Sequence, residues 1–237
     1  MGATHIKYSI DLIVRVIDTA TGKLIPSRDY TVYKNGEEVK VFVKEVGNYI
    51  FMNTGRDNFT LTVKIKNYYD KTVEVDYSVI DENLPQLDLF FVPDESYETE
   101  HRCKVLRGQT EGIESIDAVL LNNPEIRLKE YDERKKQITV FNPHYRVLDN
   151  IHYGLIAADG KSFEDISVTE TGSETTMKID QPLAKEAQIN FPLSRIIFGK
   201  ISDGGEYLLR VRDDITGGRF LVRQIVQGEE RFSIWEP

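Results

Sequence analysis

The chain has 237 residues, of which 40% are hydrophobic and 10% aromatic, and carries a net charge of −9. It is too apolar for a disordered segment and long enough for one large core or two smaller ones. The acidic balance excludes ordinary binding of a nucleic-acid backbone, which needs a concentrated basic surface, and the one short basic cluster, Arg134-Lys135-Lys136, follows Asp132-Glu133 and reads as a solvated turn.

Residues 1–8 lack the apolar stretch of a secretory signal, and Ile6 stands where a myristoylation motif prefers Ser or Thr. No run of 18 apolar residues occurs, so no membrane insertion is expected. The single cysteine, Cys103, excludes an intramolecular disulfide and fits synthesis in a reducing cytoplasm.

Alternation of apolar and polar residues then dominates. Phe59 to Lys66 alternates at all its positions, which places Phe59, Leu61, Val63 and Ile65 on one face of a strand. Similar patterns predict strands over 10–17, 30–34, 38–43, 48–52, 59–66, 72–77 and 86–92. Asn35-Gly36 is a strong hairpin signal because both residues accept the positive φ of a type I′ turn. Gly47-Asn48 and the segment Asn53 to Asn58 supply further turns. Short strands separated by frequent turns predict a β-sandwich over residues 1–93.

Three segments in this region resemble carboxypeptidase regulatory-like (transthyretin-like) domains. Val16-Ile17-Asp18-Thr19-Ala20-Thr21-Gly22-Lys23-Leu24-Ile25-Pro26 is similar to the family's opening strand and Thr-Gly turn. Gly47-Asn48-Tyr49-Ile50-Phe51 resembles its Gly-x-aromatic strand, and Phe59 to Val75, with Tyr68-Tyr69, its closing hairpin. The resemblance spans residues 10–92; Asn67 stands where the family usually has Gly, and the small residues that follow the proline are missing. It implies an Ig-like or transthyretin-like sandwich and an accessory role without catalysis.

Residues 94–100, Asp-Glu-Ser-Tyr-Glu-Thr-Glu, are acidic and weakly periodic and read as a linker. Residues 101–237 read as a second β-sandwich with an N-terminal arm over 101–136. Within the arm, Gly112 to Leu121 fits either a short helix or a buried strand. Strands are predicted at 102–106, 126–130, 137–141, 151–157, 163–168, 174–179, 187–191, 206–212, 219–226 and 230–235. The 207–212 and 220–226 segments are expected to pair as a hairpin, with Arg210, Arg212 and Arg223 on its wet face. Trp235 is expected to close the core or to contact a partner.

Residues with chemical potential are few. His101 and Cys103 share a strand face, but a Cys–His nucleophile also needs an orienting group and an oxyanion hole, and no pattern supplies them. His144 and His152 flank Tyr145 and Asp149 without metal-ligand spacing, and Asp159, Asp203 and Asp213-Asp214 are explained as turn residues. No cofactor is implied. Tyr30, Tyr33, Tyr68, Tyr69 and Tyr145 could form aromatic platforms.

The expected molecule is therefore all-β, with two tandem β-sandwich (Ig-like or transthyretin-like) domains. Its organisation is similar to that of accessory and baseplate proteins of phage tails and contractile injection systems. The expected function is a non-catalytic assembly subunit of such a particle, bound to other protein subunits or to its own copies. Trp235, Tyr68 and Tyr69 are the candidate contact residues. An adhesin or carbohydrate-binding module is the alternative, and a glycan or cysteine hydrolase the second alternative.

Overall fold

The structure, a computed structural model, describes residues 9–26, 29–43, 47–83, 85–100, 103–122, 126–141, 152–173, 175–184, 189–212 and 218–237. The described residues are all-β apart from one short helix. The described residues divide into two units. One holds those up to Asp18 and from Leu24 to Tyr97; the other holds Thr19–Lys23 and the chain from Glu98 onward.

The first unit contains β1 (Ile10–Asp18), β2 (Tyr30–Lys34), β3 (Glu37–Glu38), β4 (Phe42–Val43), β5 (Asn48–Met52), β6 (Phe59–Ile65), β7 (Lys71–Val75) and β8 (Gln86–Phe91). They form two four-stranded sheets, ordered β4-β5-β1-β8 and β3-β2-β6-β7. Period-two alternation explains the core between them. In β6, Phe59, Leu61, Val63 and Ile65 are no more than 4% exposed, while Lys64 is exposed. They meet Leu12, Val14 and Val16 of β1, Tyr49 and Phe51 of β5, and Leu89 and Phe91 of β8.

Asn35 and Gly36 take φ of 51° and 84° and join β2 to β3. The strand expected over 38–43 is two strands instead. β3 pairs with β2 in one sheet, and β4 pairs with β5 in the other. β1 and β8 pair in parallel, from Ile13↔Gln86 to Asp18↔Phe91. Arg15 grips Asp88 across that pair through two hydrogen bonds of 2.6 Å each.

The segment expected as a linker carries the helix α1 (Glu95–Glu100). Asp94 Oδ1 caps it, accepting from the amides of Ser96 at 2.8 Å and Tyr97 at 3.3 Å. The boundary between units falls inside this helix.

The second unit contains β9 (Cys103–Gln109), β10 (Ile113–Leu120), β11 (Ile126–Asp132), β12 (Gln137–Phe141), β13 (His152–Ile156), β14 (Phe163–Ser173), β15 (Thr176–Ile179), β16 (Pro192–Phe198), β17 (Lys200–Ile201), β18 (Glu206–Arg212), β19 (Phe220–Val226) and β20 (Glu229–Trp235). Six strands close on themselves in the order β11-β12-β15-β14-β13-β16, because β16 pairs back onto β11 at Ile126↔Leu193. A closed ring has no edge, and its inward side chains fill it. Leu128, Ile138, Tyr153, Leu155, Ile166, Met177 and Leu193 do so here.

Beyond Ser194 the same β16 pairs with β10, and the sheet runs on through β19 to β20. The three-stranded sheet β17-β18-β9 contributes Leu209 and Val211 to a core shared with Ile116, Ala118, Ile197, Phe220 and Val222. The second unit is thus a ring sharing one strand with a layered pair of sheets, more than the plain sandwich expected.

Two expectations need correction here, and one open reading is decided. The segment 112–121, open between helix and strand, is the buried strand β10. Residues 207–212 and 220–226 are not a hairpin. β18 pairs with β17 and β9, and β19 with β10 and β20, so the two meet through their core-facing side chains. Of the strand expected over 187–191, the described residues 189–191 are irregular, and Asn190 has φ 74°. The strand begins at Pro192 instead, a position where the missing N–H is tolerated.

Candidate functional site

Two of the three candidate contact residues are tied into the first unit. Asn67 takes φ 71°, a left-handed conformation that Asn tolerates, and turns the chain from β6 toward β7. Tyr68 then packs edge-on against Phe91 at 6.2 Å and against Tyr97 of α1 at 5.6 Å. Tyr69 donates its hydroxyl to Glu95, and its amide donates to Val92 O at 3.1 Å. Tyr97 is buried and donates its hydroxyl to Asp18 at 3.0 Å. Tyr68 and Tyr69 therefore dock the helix.

Trp235 ends β20 opposite Phe220, with ring centroids 5.5 Å apart. It is half-buried against the core of the layered sheets. The other aromatic candidates are less exposed than a platform requires. Tyr30 stacks on the buried Tyr49 at 4.4 Å, and Tyr33 is half-buried in β2. Tyr145 lies outside the described residues, as do His101, His144, Asp149 and Asp213-Asp214.

Cys103 opens β9 opposite Arg212 and is half-buried. Asp159 accepts from the Lys161 amide at 2.9 Å in the turn between β13 and β14, and Asp203 lies in the turn closed by Gly205 N on Ser202 O. The basic cluster is the turn between β11 and β12. There Asp132 accepts from the Lys135 amide at 3.2 Å, and that bond holds the carboxyl below its ordinary pKa. Among the described residues no group of three or more His, Cys, Asp and Glu side chains is placed to hold a metal.

The most concentrated ionic chemistry sits where the sequence suggested a wet face. Arg210 and Arg223 are buried, at 3% and 9% exposure. Arg223 Nε donates to Asp117 Oδ1 at 3.0 Å and Nη2 to Oδ2 at 2.7 Å, while Nη1 reaches Glu230 at 3.1 Å. Its guanidinium lies over the Phe163 ring at 4.6 Å. Burial pushes the Asp117 carboxyl up from its ordinary value; Arg223 pulls against that push, and the charges of Asp165 and Glu230 add to it. For Arg223, burial disfavours the charge, but the bond and charge of Asp117, with the charges of Glu230 and Asp165, together outweigh it and raise the pKa.

Nearby, His152 Nδ1 lies 3.1 Å from Asp165, and its ring meets Phe198 edge-on at 5.4 Å. This is a paired, aromatic-covered network that ties β10, β19 and β20 together. Sequence reasoning missed Asp117 and Glu230. The available signal was Asp117 set between Ile116 and the apolar Ala118-Val119-Leu120-Leu121, an acid that needs a partner when buried.

Two of the sheets present exposed edges to solvent. β20 ends its sheet with Ile234 46% exposed, and β4 ends another with Phe42 52% exposed. Such edges offer unpaired backbone groups and apolar side chains together, a chemistry of protein contact. Scanned against models of known protein families the chain matches none, and no curated protein is significantly similar to it.

Proposed function

We propose that the protein is a non-catalytic assembly subunit, built from a transthyretin-like first domain and a sandwich-derived second domain, that joins other protein subunits through its sheet edges. One observation carries this reading. Three large exposed apolar side chains stand on edge strands, Phe42 and Val43 on β4 and Ile234 on β20; Ile10 and Phe141 lie on other strands, and Val79 and Ile189 outside the strands. Apolar groups set beside unpaired backbone favour strand-to-strand contact over small-molecule binding. Asn67 supports the transthyretin-like assignment, since it adopts a glycine-like φ where the resembled family has Gly.

The particle is of the phage-tail, baseplate or contractile-injection class, an assignment that rests on organisation. Synthesis is cytoplasmic, followed by incorporation into the particle, with no role for nucleic acid or membrane insertion. A glycan-binding alternative would need free aromatic faces, whereas Tyr30, Tyr68 and Tyr69 are engaged within the chain. Gradient sedimentation of a lysate from the source cells, with mass spectrometry of the fractions, tests the proposal. The chain is expected in megadalton fractions with its partner subunits; recovery solely at 27.3 kDa or a small multiple overturns the reading.

A further inference from the structure

We infer that β20 is a homotypic edge, pairing antiparallel with β20 of a second copy about a two-fold axis through Phe232. The inference borrows from the assembly reading only the use of strand edges as contact surfaces, and it stands without any particle. β20 pairs with β19 along its whole length, from Phe220↔Trp235 to Val226↔Glu229, without a bulge. Among the described residues its other edge has no strand beside it.

Of the protective devices common on edge strands it carries only charge, of mixed sign, at Glu229, Glu230 and Arg231. It holds no proline and no lysine, and its register is unbroken. β9, equally long and also at an edge, carries charge of one sign only, on the exposed Lys104 and Arg107. β3, β4 and β17 have two residues each, too few to template a pair.

The charge pattern selects the occupant and the register. An antiparallel pair of identical strands has its two-fold axis perpendicular to the sheet, so one residue faces itself. With Phe232 on the axis all seven residues of Glu229–Trp235 are paired. Arg231 then faces Ser233, Glu230 faces Ile234 and Glu229 faces Trp235, so no like charges are opposed. Moving the axis one residue toward the N-terminus sets Arg231 against Arg231. Moving it one residue the other way sets Glu230 against Glu236. On the Phe232 face, which packs on Phe163 at 5.7 Å, the two Phe232 rings would adjoin across the axis.

Ser233 provides the test, because it is exposed on the outermost strand of its sheet, where an added charge stays solvated. Analytical ultracentrifugation of the purified full chain over a concentration series is expected to show dimer at twice 27.3 kDa. Ser233→Glu places a carboxylate opposite Arg231 twice per dimer and should tighten association roughly 2- to 30-fold. Ser233→Arg opposes two pairs of like charges and should weaken it by a similar factor. Amide exchange in residues 229–235 should slow as concentration rises.

A chain that stays monomeric throughout, or a dimer indifferent to both substitutions, overturns the inference. So does weakening by Ser233→Glu, which would mean that Ser233 faces itself. The purified chain answers this question alone, so a missing particle in the lysate and a missing dimer in the cell remain separate failures.

Discussion

At the scale of the residue, the Asp117–Arg223 pair decides how the layered sheets of the second unit hold together. Both side chains are buried, and each satisfies the other through two hydrogen bonds. A buried charge that loses its partner is strongly destabilising, whereas replacing the whole pair by apolar groups of similar volume is often neutral. Asp117→Ala is therefore expected to cost about 3–5 kcal/mol of stability. The Asp117→Leu/Arg223→Met double variant should recover most of that loss. Chemical denaturation of the three proteins checks it. Equal losses for the single and double variants would show that the pair contributes net stability beyond mutual neutralisation. Glu230 alone cannot rescue Arg223, because its own side chain is half-exposed and partly solvated.

At the scale of the element, two glycines separate backbone from packing effects. Gly36 has φ 84°, and a Cβ there would meet nothing within 4 Å. Gly36→Ala should cost about 1–2 kcal/mol, all of it conformational. Gly154 in β13 has no such φ, but a Cβ there would stand 2.5 Å from Val119 Cγ1 and 2.9 Å from Phe163. Gly154→Ala should cost about 1–3 kcal/mol through overpacking. A second substitution tells the two apart: Val119→Ala should relieve Gly154→Ala and leave Gly36→Ala unchanged, as a double-mutant cycle would show.

The contrast between these glycines marks what the sequence made legible. Asn35-Gly36 was readable because a type I′ turn is local chemistry. β6 was readable because alternation is local too. The splitting of 38–43 between β3 and β4, the separation of β18 from β19, and the sharing of β16 were not readable. Each is a choice of pairing partner across many residues, and several registers satisfy the same alternation. Tyr68 and Tyr69 were singled out as an aromatic pair, but their partners Tyr97 and Glu95 lie in a segment whose acidity suggested a linker. The buried ion network had only Asp117 as a local signal, since its partners come from β19 and β20.

At the scale of the whole molecule, the distribution of cores governs how the chain unfolds. The first unit has a single core between its two sheets. The second has a ring core, a layered core and a third cluster around Val119, Ile156, Phe163, Ile196 and Leu221, with β16 contributing to all three. Separate cores make a single all-or-none transition a poor expectation for a chain of this length. Calorimetry should give a total enthalpy exceeding the van't Hoff value. Leu61→Ala removes a fully buried side chain from the first core, and Leu155→Ala removes one at 3% exposure from the ring. Each should cost about 2–5 kcal/mol, and each should lower a different transition. Equal shifts of a single transition under both substitutions would mean that the chain unfolds as one cooperative body despite its separate cores.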